Sequence, residues 1–157
     1  MPTTARDEAP LALTEEEAQL VSAEAACAAE ALEEPLRSRA ARLARASQCG
    51  EIPADLLDIL AQVTSASLRG GRARRLYRAE GEQILTRVLH RTPAGHALQQ
   101  QLDEVNTALQ ALAGRSLHAA KVGMRTPGTW TLSLQSDGFA VTLAVGPDAV
   151  TLESLST

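Results

Sequence analysis

The hydrophobic period of this chain changes once, at Gly114. Before it, apolar residues recur at steps of three and four, the mark of amphipathic helices; after it they alternate, the mark of half-buried strands. The stretch that ends at the switch, Thr92 to Gly114, is the clearest helix in the chain. Leu98, Leu102, Val105, Leu109 and Leu112 form one narrow apolar seam along it.

Upstream, four more helices are expected. Residues 1–13 hold Pro2, Pro10 and small or polar side chains, and read as a flexible tail. Thr14 followed by Glu17 is a capping box. The first helix then runs to about Leu32. Its inner stripe is mostly Ala, so it should bury little per turn and dock weakly. Pro35 suits the first position of a second helix, which Gly50 ends. Pro53 opens a third, with Leu56, Leu57, Leu60 and Val63 as its core face, and Gly70-Gly71 stops it. A fourth spans Arg72 to His90. Gly81 in its middle costs about 1 kcal/mol against Ala, to be offset by a close crossing or accompanied by a kink.

Downstream, Pro127-Gly128, Asp137-Gly138 and Gly146-Pro147-Asp148 divide four alternating runs, which begin near Leu117, Thr129, Phe139 and Ala149. A meander with one apolar face must be covered, and the Leu98–Leu112 seam is the nearest cover. The fold expected is α+β: about five N-terminal helices, then a three- to four-stranded antiparallel meander packed on the last helix. The segments expected are 1–13 as a tail, 14–50 as an Ala/Glu- and Arg-rich helical segment, and 51–157 as a helical hairpin with the meander.

Composition matters through charge. Residues 1–34 carry nine acids against Arg6 alone, while residues 35–91 carry eleven arginines against five acids. Either the acidic arm pairs with the protein's own basic helices, or each surface serves a separate partner. The densest basic cluster is Arg69, Arg72, Arg74, Arg75 and Arg78, and Arg87 and Arg91 follow at helical distance. These seven are the expected contact residues for a protein partner, an acidic one being the complement to their charge, or for a polyanion. The only aromatics are Tyr77, Trp130 and Phe139, which leaves little stacking capacity for single-stranded nucleic acid.

No catalytic, metal-binding or cofactor-binding signature is present. His90, His96 and His118 lie in no HExxH or Cys-His spacing, and Gly70-Gly71 lacks a Walker lysine. Cys27 and Cys49 have no metal spacing and read as two buried thiols of a reducing cytoplasm, with a disulfide between them left open. The first residues lack the basic and apolar regions of a secretory signal, and no apolar run approaches the roughly 18–20 residues that span a bilayer. The expectation is a cytoplasmic, non-enzymatic interaction protein, an adaptor or assembly factor with an arginine-rich contact surface. The alternatives are a nucleic-acid-associated regulator using the same arginines, and an enzyme without a recognisable motif. The Leu98–Leu112 seam also suits a homodimer.

Overall fold

A computed structural model describes residues 9–147 and 149–156. In chain order it comprises β1 (Leu11–Ala12), α1 (Glu15–Ala31), α2 (Leu36–Gln48), β2 (Glu51–Ile52), a 3-10 turn (Ala54–Leu56), α3 (Leu57–Arg69), α4 (Arg72–His90) and α5 (Pro93–Gln110). Four strands follow: β3 (Leu117–Thr126), β4 (Thr129–Ser136), β5 (Phe139–Val145) and β6 (Val150–Ser156). The architecture is the expected α+β, five helices and then a four-stranded antiparallel sheet in the order β3-β4-β5-β6. The chain divides into two compact units, Met1–His96 and Ala97–Thr157.

The first unit is built around α1, α2, α3 and α4. Thr14 caps α1 as its sequence indicates. The Thr14 N–H donates to Glu17 Oε2 at 2.9 Å, and the Glu17 N–H donates to Thr14 Oγ1 at 3.3 Å. Leu11 pairs with Ile52 and Ala12 with Glu51, so part of the segment expected to be a tail forms a short strand. Residues 1–8 of that segment lie outside the described residues. The core joins Val21 and Ala25 of α1 to Leu43, Leu60, Leu85 and Val88. The expectation that α1 docks weakly is therefore corrected. An Ala stripe buries little per residue, but it lets neighbouring helices approach closely, and Val21 and Ala25 are fully enclosed. The thiol expectation is corrected too: Cys27 is half-buried, Cys49 is exposed at the end of α2, and both are free.

The second unit sets one helix on one sheet. The in-register pairs Val122–Leu132, Leu132–Leu143 and Leu143–Leu152 put four apolar residues in a row across the sheet. Ala120, Leu134, Val141 and Leu155 form the next row, so one face is apolar throughout. Val105, Ala108 and Leu112 of α5 pack against Phe139, Val141 and Leu143 of β5. Arg115 lies over the Phe139 ring, 5.4 Å from its centre. Arg125 and Glu153 form an ion pair between the two edge strands. Among the described residues no helix is long and apolar enough to cross a membrane.

Both cores set a testable scale. Leu60→Ala and Leu112→Ala should each cost about 2–5 kcal/mol, because a cavity is left in packed surroundings. Urea denaturation monitored by circular dichroism measures this, and a loss below about 1 kcal/mol would show that these side chains are not enclosed as described.

Candidate interaction surface

The acidic and basic halves of the sequence meet inside the first unit. Glu17 and Glu24 lie seven residues apart on α1, on the same side as Val21 and Ala25, and both are buried. Each is matched by an arginine of α4 or its cap. Arg91 Nη2 donates to Glu17 Oε2 at 2.6 Å, and its Nη1 donates to the Ala12 carbonyl at 3.0 Å. Arg72 Nε donates to Glu24 Oε2 at 3.1 Å and to Oε1 at 3.2 Å. The Tyr77 hydroxyl donates to Glu24 Oε1 at 2.7 Å.

These contacts perturb the groups that make them. Burial pushes the Glu17 carboxyl up. The Thr14 N–H, the Arg91 guanidinium and the Thr14 hydroxyl outweigh it and hold the carboxyl below its ordinary value. For Tyr77, burial comes first and the Glu24 carboxylate second; together they push the phenol up to about 12.

The two pairs sit at opposite ends of a helix that is not straight. Glu17 and Glu24 are about 10 Å apart along α1, whereas Arg72 and Arg91 would be about 28 Å apart on a straight helix. Long arginine side chains bridge the difference, and the helix between them is kinked. Arg78 leaves the helical region with φ 60° and ψ −162°. Such a backbone is costly for any residue but glycine, about 1–3 kcal/mol. Gly81 serves this kink rather than a helix crossing. A Cβ added there would lie 2.1 Å from the Tyr77 Cβ.

The seven arginines singled out from the sequence thus separate into groups. Arg72 and Arg91 are bound to buried carboxylates. Arg74 lies 3.7 Å from Glu82 and stays largely in solvent. Arg69 is exposed at the end of α3. Arg75 and Arg78 are exposed on the first part of α4, with Leu76 between them at 54% exposure. Arg87 lines a groove of about 700 Å³ along the second part of α4, together with Glu16, Gln83 and His90. The arginines of α2 are matched locally: Arg39 pairs with Asp58, and Arg42 pairs with Asp55 at 2.8 Å. Where α3 gives way to α4, the exposed side chains include Arg69, Arg74, Arg75, Leu76 and Arg78.

The structure also divides the α5 seam. Val105, Leu109 and Leu112 are taken by the sheet, while Leu98 and Leu102 stay exposed. His118 Nε2 lies 2.6 Å from Asp137 Oδ1, a contact between residues 19 apart that no short spacing announces. Both side chains are open to solvent, so no enclosed site forms around them. Among the described residues no group of three or more His, Cys, Asp or Glu could hold a metal ion. Comparison with protein-family models, with curated proteins and with solved structures gives no match.

Two measurements test this geometry. Gly81→Ala should destabilise the first unit by about 1–3 kcal/mol through overpacking, reversing the gain of about 1 kcal/mol that helix propensity alone would give. A stabilised variant would remove the kink argument. Tyr77 is the only tyrosine in the chain, so its phenolate absorbance reports one group. Its midpoint in the folded chain should be about 12, against 10.0 for an unperturbed tyrosine. Because the folded value is the raised one, this stabilisation is complete below pH 10 and is lost as pH climbs toward 12. Glu24→Gln should bring the midpoint down. A folded wild-type chain titrating near pH 10 would show that the hydroxyl does not face the carboxylate.

Proposed function

We propose that the protein is a non-enzymatic interaction module, an adaptor or assembly factor, that docks an acidic protein surface on the corner formed by Arg69, Arg74, Arg75, Leu76 and Arg78. The observation that carries this reading is the company Leu76 keeps. Leu76 is a large apolar side chain half in solvent, with exposed arginines before and after it in the chain, so this stretch offers the two residue classes that suit a docking surface: an apolar anchor and planar, multiply donating cations. Arg75 and Arg78 make no ion pair among the described residues, so their charge is not already spent inside the molecule. The acids of α1 that are buried, Glu17 and Glu24, answer Arg91 and Arg72 and not these. The reading extends to a cytoplasmic location, supported by two free thiols, and to self-association through the second unit, supported by its exposed leucines.

Arg74, Arg75 and Arg78 changed together to Glu should leave the circular dichroism spectrum unchanged and weaken binding of a polyglutamate peptide at least tenfold. Leu76→Asp should weaken it as well. Unchanged affinity in both variants would remove the corner as the contact surface. Duplex DNA, titrated at two salt concentrations, separates the nucleic-acid alternative. DNA binding that is tighter than peptide binding, falls steeply with salt and depends on the same three arginines would favour that alternative.

A further inference from the structure

The apolar face of the sheet is wider than the helix that covers it. Four strands at about 4.8 Å spacing span roughly 14 Å between the outer strand axes, while a helix with side chains is about 10 Å across. α5 accordingly buries Phe139, Val141 and Leu143 of β5. On the other half of the same face, Val122 is 66%, Met124 62% and Trp130 44% exposed. The register pairs Met124 with Trp130 and Val122 with Leu132, so these side chains continue the covered rows. The helix is unmatched in the same way. Its inner stripe runs Leu98, Leu102, Val105, Leu109, Leu112, but only the last three pack on the sheet. Leu98 and Leu102 remain 37% and 45% exposed. One unit therefore carries half a helix stripe without a sheet and half a sheet face without a helix.

We infer that a second copy of the chain supplies both missing halves: Leu98 and Leu102 of each copy pack on Val122, Met124 and Trp130 of the other. The inference rests on the self-association reading and names its surface. Two observations favour a second copy over another occupant. The two unmatched surfaces are of the kinds already joined within the unit, helix stripe on sheet face, and a two-fold axis satisfies both at once. Size agrees as well. A standard interface buries about 800 Å² on each partner, and five large apolar side chains that are 37% to 66% exposed would supply its apolar centre.

Reciprocity gives the test. Trp130 is the only tryptophan, so its emission should shift to the red on dilution of the full chain, in step with a fall in mass by sedimentation. A helix variant, Leu98→Asp with Leu102→Asp, and a sheet variant, Val122→Lys with Met124→Lys, should each raise the dimer Kd at least about 30-fold. Mixing the two variants should restore dimers, because the intact helix of one still meets the intact sheet of the other. A wild-type chain that stays monomeric at high micromolar concentration overturns the inference. So do variants that remain dimeric, or a mixture of two folded variants that stays monomeric, since helix-on-helix or sheet-on-sheet pairing cannot be complemented. Should either variant fail to fold, a photo-crosslinking residue at position 122 of the otherwise native chain decides. With isotopically mixed copies, crosslinks must reach residues 97–104 of the other copy, and crosslinks elsewhere or none overturn the inference. The arginine corner is untouched in every arm, so a failed dimer leaves the peptide-binding reading standing, and the reverse also holds.

Discussion

Two carboxylates buried on the inner face of α1 decide how the helical unit is put together. An ionised carboxylate removed from water without a partner costs several kcal/mol, so Glu17 and Glu24 fold inward only where Arg91 and Arg72 meet them. The net gain from such pairs is small, because desolvation consumes most of the attraction. Their effect is on register. An Ala stripe offers few features to hold α1 at one height on its neighbours, and two charged pins about 10 Å apart fix both height and direction. The strained backbone of Arg78 lies between these two arginines.

Much of this architecture is legible in the sequence. The Thr14–Glu17 box, the Gly70-Gly71 stop, the Asp137-Gly138 turn and the change of period at Gly114 act over a few residues, and local chemistry determines them. The strand starts follow within a residue, while α5 ends at Gln110, four residues short of Gly114, and a 3-10 turn precedes α3 at Leu57. The acidic arm and the basic middle are also visible as blocks of charge. What is less visible is which members pair. Glu17 and Glu24 share the helical phase of Val21 and Ala25, and that phase is the available signal that they turn inward. Composition alone reads a glutamate in an Ala-rich helix as solvated.

The rest depends on contacts between distant residues. Arg78 carries no residue-type mark of a kink, and the glycine that permits it stands three positions later, under Tyr77. The pairing of Leu11 with Ile52 joins residues 41 apart through a two-residue strand too short to show a period. The division of the α5 seam is of the same kind. Five leucines and valines at one spacing look equivalent along the chain, and only the length of β5 and the position of the sheet decide that Val105, Leu109 and Leu112 are covered and Leu98 and Leu102 are not.

The two exposed surfaces differ in the physics that would make each one bind. At the arginine corner the attraction is mainly electrostatic, falls off over a Debye length of about 8 Å at physiological salt, and acts on side chains already well hydrated. A contact of that kind is quick to form and weak on its own. The open sheet face is the opposite: its drive is apolar area, insensitive to screening and dependent on shape. A chain that joins to itself through the second would carry the first in duplicate. Two weak corners held on one particle bind a repeated or extended acidic target with an avidity that neither reaches alone, provided the target spans both. On this argument the sheet unit would set how many corners a particle presents, and the helical unit would set what each corner accepts.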